Sequence, residues 1–509
     1  MKDVKVFMCR ALILLLSAGA VFAGGGGQKS GSVSSPTSDS LREKNLVTLD
    51  VIMMASAGKE GSHEVEDAIN AYLLEKLNVK IKLTFITYGN YVQQTNLLLS
   101  AGQGVDILPV YMTPLFTVAN NGQVIPLDDL LAKYGQGIVE QMGKEYIDCG
   151  RINNVLYGLP TGRDLASAYG FEMRKDICDK YGIDYANITT LDQLHDALTI
   201  VHKNEPNLVC VVPSNGELVR NWGWDPLGDM VTPIGVLMDK GRSWEVVNLF
   251  ETSFYKDFVT TMRKWYLEGL IMQDGISNSE SVGVMMGAGR AFGGFMNLKP
   301  YFNVQETTNY GTEIVVSEIV PSFAVTSYVI MNAWGIASSS KHPEAAMKLL
   351  NLMYTDPTLV NLMIYGLEGK HYVKAGPASN GQSIIKYPPG VDGINTKYRP
   401  SGGWMWGNQF VGHVWEGNPP DYWDVTRKFN ETALKSNAFG FSWDSSDVKN
   451  QITACTNVMG KYHKALMCGA VDPETTLPRF IQELKAAGID DIIKDKQEKL
   501  NAWRKAAGK

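Results

Sequence analysis

Three consecutive segments constrain the architecture of this chain more than any other feature. "LVTLDVIMMA" is an apolar, β-branched run of strand length. "EVEDAINAYLLEKLN" repeats apolar side chains at helical spacing, with Val65, Ile69, Tyr72, Leu73 and Leu77 on one face, and "VKIKLTFI" alternates like a strand. Strand, helix, strand is the parallel crossover unit, because two parallel strands can be joined only by a connection long enough to return over the sheet. A helix "YVQQTNLLLSA" stopping at Gly102 and a strand "VDILPVY" extend the pattern. The expectation is an α/β domain with a mostly parallel sheet.

The alternation restarts at Leu165, with "ASAYGFEMRKDICDKYG", the helix "LDQLHDALTIVHKN" and the strand "LVCVVP". At 509 residues the chain is too long for one hydrophobic core. Two α/β blocks predict a cleft between them, with ligand contacts in the loops beyond the carboxyl ends of the strands. The tail 448–503 reads as largely helical, with "PETTLPRFIQELKAAG" opening after a proline and stopping at Gly488.

The first residues predict export. Lys2, Lys5 and Arg10 precede the apolar run "ALILLLSAGAVFA", and Val21 and Ala23 form the small-x-small pattern that signal peptidase accepts, so cleavage is expected after Ala23. Residues 24–44, opening "GGGGQKSGS", form a Gly/Ser linker with little to bury. The only cysteine near the leader is Cys9, inside the basic region. A lipid anchor is therefore not expected, and the mature protein should be free in the periplasm or outside the cell. Loss of the leader moves the formal charge from −6 to −8, which argues against nucleic acid or an anionic membrane as partner. Five cysteines remain at wide spacing, which fits neither a dense disulfide framework nor a zinc site. Buried free thiols are expected, Cys455 with Cys468 being the least improbable pair.

Signatures of covalent chemistry are missing. The sequence contains no HExxH, GxSxG, Walker or GxGxxG motif, and "GVMMGAGRAFGG" matches no phosphate-binding spacing. No cofactor, metal or catalytic residue is therefore predicted, although a pair of carboxylates in the cleft would suit a glycosidase. Aromatic side chains are abundant instead, with 11 tryptophans and 22 tyrosines. Flat rings stack on the apolar faces of sugars, and carboxylates, amides and Arg hydrogen-bond at the hydroxyl rim. "NWGWD" carries Trp222 and Trp224, "NAWGIAS" carries Trp334 in a strand, and "GGWMWGNQF" carries Trp404 and Trp406 among glycines, with Asn408 beside them. If that last piece is extended, both rings lie on one side of it, spaced like adjacent sugar rings, and its glycines let backbone approach a ligand.

"GQGVDILPVY", "VANNGQVIPLDDLLAKYG", "VLYGLPTGRDLASAYGFEMRKDICDKYGI" and "WGIASSSKHPEAAMKLLNLMYTDP" occur in this order. Together they resemble the extracellular solute-binding proteins of ABC importers, in the branch similar to maltose-binding protein. The ending from "GFSWDSSD" to "NAWRKA" resembles a C-terminal domain of unknown function found in one subfamily of these proteins, usually lipoproteins. The resemblance implies a two-lobed α/β fold of the periplasmic-binding-protein type (type II), with a hinge between lobes and a helical C-terminal region. It assigns 45–163 and 328–375 to one lobe, and 164–327 and 376–509 to the other. Arg163 and Asp164 at the first crossing, Trp334 at the second and Glu368 in a returning loop would then face the cleft, and Tyr111 and Asn297 complete the candidate ligand contacts. The implied function is capture of an oligosaccharide by a monomer that delivers it to a membrane permease. A secreted carbohydrate-active hydrolase and a binder of a non-sugar solute such as a peptide stay open as alternatives.

Overall fold

The computed structural model describes residues 45–55, 61–102, 104–111, 113–213, 218, 221–228, 233–393, 395–398 and 402–509. The leader and linker lie outside these residues. Residues Leu46–Lys509 form one compact body, built on two five-stranded sheets.

The first sheet runs Val79–Thr87, Val47–Ala55, Ile107–Tyr111, Asn332–Ile336, Leu159–Pro160. Its first three strands are parallel, as the crossover pattern requires, and Asn332–Ile336 is antiparallel to Ile107–Tyr111. The helix Ser62–Leu77 buries Val65, Ile69 and Leu73 against this sheet and ends at Asn78 in the left-handed conformation. Helix Tyr91–Ala101 ends on left-handed Gly102, where a side chain would be strained.

The second sheet runs Leu434–Lys435, Ile314–Ala324, Ser167–Arg174, Ala291–Leu298, Val209–Val211. Here the expectation of a mostly parallel sheet fails, because Ser167–Arg174 is antiparallel to both neighbours. That strand enters straight from the other lobe at residue 166, without a crossover helix to reverse it. Each sheet has its own core, one built around Leu49, Val51, Ile107, Trp334 and Leu350, the other around Phe171, Val211, Phe292 and Trp265.

Residues 376–433 do not follow the lobe assignment implied by sequence. Ile385, Tyr398, Met405 and Trp406 are buried in the first core. Strand Ser383–Lys386 pairs locally with Val373–Pro377 and Val414–Trp415. The chain therefore stays on the first lobe until helix Tyr422–Thr432 carries it to Leu434–Lys435 on the second sheet. The tail is three helices, Lys449–Met467, Pro473–Ala486 and Ile489–Ala506. Their apolar faces, including Cys455, Leu477, Phe480 and Leu500, join the second core. All five cysteines of the described residues are buried thiols outside any disulfide. No helix of these residues is long and apolar enough to cross a membrane.

Candidate functional site

Parallel strands deliver side chains to their carboxyl ends, and two tyrosines stand there in the first lobe. Tyr111 ends Ile107–Tyr111, and Tyr88 follows Val79–Thr87 directly. Their rings meet edge to face at 6.4 Å, and Tyr111 lies 5.5 Å from the half-buried Trp404. The three rings form an aromatic ledge. Burial, with Tyr111 close by, pushes the Tyr88 phenol up to about 12, so it stays a neutral hydroxyl at physiological pH.

The ledge is fixed from behind. The Trp334 indole N–H donates to Met405 O at 3.0 Å, Asn332 donates to the same carbonyl at 3.3 Å, and Thr161 Oγ1 donates to Trp404 O at 2.9 Å. Asn332 is also the strand partner of Tyr111. Sheet end, crossing and tryptophan loop are thus locked together.

Two residues beyond Thr161, the crossing carries charge. Arg163 is 2% exposed, donates to Tyr328 O at 2.6 Å and stacks on the Tyr328 ring at 4.7 Å. The Tyr328 hydroxyl donates to Asp164 at 3.0 Å. Burial, reinforced by Asp164, holds the Tyr328 phenol up. Lys299, just past strand Ala291–Leu298 on the second lobe, completes the group. Burial works to lower its ammonium, but the charges of Asp164, Tyr422 and Glu306 outweigh this and leave it raised, so it stays protonated. Half-buried Asn297 lies two residues before it, and Tyr301 meets Tyr422 of the first lobe at 5.9 Å.

Several sequence candidates are not on this surface. Trp404 and Trp406 do not share a side, because Gly403–Met405 is a 3₁₀ turn and residues two apart on such a turn diverge. Trp406 is 1% exposed and tilts against fully buried Trp334 at 6.3 Å, which makes both supports of the ledge. Gly407 serves packing rather than ligand approach, since a Cβ there would come within 2.2 Å of Met353 O. Asn408 is fully buried, donating to Tyr354 O at 3.0 Å and accepting from Phe410 N–H at 3.0 Å. Trp222 and Trp224 pack against Phe258, Phe295 and Phe254 inside the second core. The apolar surface of that core takes the rings inward. Glu368 is exposed on a turn and pairs with Lys374 at 2.9 Å. Of the eleven candidates, Tyr111 and Trp404 form the ledge, and Arg163, Asp164 and Asn297 belong to the crossings or the facing strand end. Tyr88, Lys299, Tyr328 and Tyr422 were missed. Tyr88 was within reach of sequence reasoning, standing at the carboxyl end of a predicted parallel strand.

Two α/β lobes joined by chain crossings, with an aromatic and charged surface where strand ends meet those crossings, define a two-lobed binding protein. The chain belongs to the bacterial extracellular solute-binding protein family, whose family model matches residues 59–358. A second family model, a domain of unknown function, matches residues 437–505. A curated carbohydrate ABC transporter substrate-binding protein of Streptococcus pneumoniae is 25% identical over 448 residues, covering 84% of this chain and 85% of that protein. Among solved structures, the N-glycan transport solute-binding protein NgtS of the same organism superposes with a TM-score of 0.79 at 22% identity, covering 90% of this chain and 99% of that one. Its complex with Man5GlcNAc gives a TM-score of 0.71 at 23% identity, with 90% and 99% covered. An HMO-binding, ABC-transporter-associated solute-binding protein of Bifidobacterium longum infantis gives 0.63 at 13% identity, with 90% and 99% covered.

Proposed function

We propose that this protein captures an oligosaccharide between its lobes and delivers it to the membrane permease of an ABC importer. The observation that carries the reading is the ledge of Tyr88, Tyr111 and Trp404 at the strand ends. Such rings stack on the apolar faces of sugars, and Asp164, Tyr328, Asn297 and Lys299 offer rim hydrogen bonds from the crossings and the second lobe. The relatives named for carbohydrate transport and the glycan complex of NgtS support the same ligand class. A ligand on the ledge that also reaches second-lobe groups binds the closed arrangement better and shifts the population toward it. Binding and release need no covalent step, so the protein acts as a carrier rather than an enzyme. It works as a monomer, exported by cleavage after Ala23.

The test is titration calorimetry of the mature protein against neutral oligosaccharides, including mannose chains on N-acetylglucosamine, with chromatography of the recovered ligand. Saturable binding and intact ligand are expected. Shortened ligand would make the protein a hydrolase, and binding of peptides in place of glycans would overturn the ligand class.

A further inference from the structure

We infer that the C-terminal helical segment, whose family description assigns it no role, is a brace that sets the angle between the two lobes. Its first residues thread between the cores, since Phe439 is buried in the first while Ala438 and Phe441 are buried in the second. Phe439 meets Tyr146 of the first lobe edge to face at 5.6 Å. Thr326 of the second crossing pins the same stretch, with its Oγ1 accepting from Gly440 N–H at 2.8 Å and donating to Ala438 O at 3.3 Å.

Four residues on, the segment reaches back. Asn120, which ends the first-lobe helix Leu115–Asn120, donates from Nδ2 to Asp444 Oδ2 at 2.9 Å and to Ser446 Oγ at 3.3 Å. Asp444 is fit for this: burial works to raise its carboxyl, but Ser446, Asn120 and Lys499 outweigh it and hold it below the usual range, so it remains an ionised acceptor.

A bond across two bodies transmits an angle only if both ends are rigid. On the far side, Trp443 Nε1 donates to Asp495 at 2.7 Å and Lys499 Nζ donates to Asp444 O at 2.7 Å, fastening the loop to helix Ile489–Ala506. Lys496 on that helix is buried and donates to the carbonyls of Pro226, Ile234 and Gly235 at 2.7–2.8 Å, fastening the helix to the second lobe. On the near side, Leu115 and Val118 anchor the short helix in the first core. Rotation of one lobe on the other must stretch or break the Asn120 contacts, so the brace biases the ligand-free protein toward the observed angle.

The inference does not rest on the ligand class, and it is tested without ligand. Leu97 and Leu267 are 70% and 68% exposed on helices of the first and second lobes, so Leu97→Cys and Leu267→Cys give a spin-label pair on the mature full-length protein, whose native thiols are buried. Pulsed dipolar spectroscopy should return one narrow interlobe distance. Adding Asn120→Ala should raise the population at other distances roughly three- to tenfold, the equivalent of one lost net hydrogen bond. Lys461→Ala breaks the exposed pair with Glu483 and the ammonium's contact with the Tyr462 ring, both confined to the C-terminal helices, and should leave the distribution unchanged. The brace is overturned by an unaltered distribution in both Asn120→Ala and Asn120→Ala/Ser446→Ala, or by an equal change in Lys461→Ala.

Discussion

Trp404 and Trp406 stand two positions apart and call for opposite experiments. Trp404→Ala removes the half-buried ring of the ledge and should weaken oligosaccharide binding by about 1–3 kcal/mol, roughly ten- to hundredfold, with little change in melting temperature. Trp406→Ala opens a cavity beside Trp334 and should cost about 3–5 kcal/mol of stability. Calorimetric titration and thermal unfolding of both variants separate the two roles. Glu172 makes a pH prediction. It is fully buried in the strand Ser167–Arg174, and burial, with the negative charge of Glu306 added, pushes its carboxyl well above the usual range. Because the folded state holds this proton more tightly than the unfolded chain, the stabilisation is complete below the unfolded value of about 4.3 and is lost as pH rises toward the raised folded value. Glu172→Gln should flatten that decline and raise the melting temperature at pH 7, as pH-dependent thermal scans would show. A steeper fall with pH in the variant would contradict the assignment.

Among elements, the tryptophan loop 402–408 and the last helix show where local reading stops. The extended reading of 402–407 gives way to a 3₁₀ turn at Gly403–Met405. Which ring faces out is decided by Met405 O, captured by Trp334 and Asn332 from strand Asn332–Ile336, about seventy residues earlier in the chain. Helix Ile489–Ala506 was legible from its periodicity, but not the role of Lys496. A lysine in a charged helix reads as solvated, yet its ammonium fills a nest of three carbonyls and lies 4.4 Å from the Trp443 ring. Lys496→Met should leave those carbonyls unpaired at about 1–3 kcal/mol each and lower the melting temperature. Lys494→Met, exposed on the same helix, should not.

For the whole molecule, the proposed function requires that the lobes move. Small-angle scattering should show a smaller radius of gyration with a bound oligosaccharide than without, since a ligand touching both lobes favours the closed state. An unchanged radius with a ligand proven to bind would remove closure from the mechanism. The three crossings suit such motion because they are laced by side chains rather than by a continuous sheet. Asn430 donates to Arg163 O and accepts from Leu165 N–H, both at 2.7 Å, and Arg163 reaches Tyr328 O. Asn430→Ala should loosen the first crossing and broaden the same interlobe distance distribution.

The class of fold is legible along the chain, because hydrophobic periodicity and crossover order depend only on sequence neighbours. Val65, Ile69 and Leu73 on one helical face, the stop at Gly102 and the strand around Trp334 all follow from local spacing. The sequence also directed attention to the carboxyl ends of the parallel strands, where Tyr111 stands. Tertiary structure alone decided which aromatic rings reach solvent. A ring's exposure depends on whether remote segments offer an apolar surface or a hydrogen-bond acceptor to draw it inward. For Trp222, Trp224, Trp334 and Trp406 they do, and Trp404 they leave half-buried.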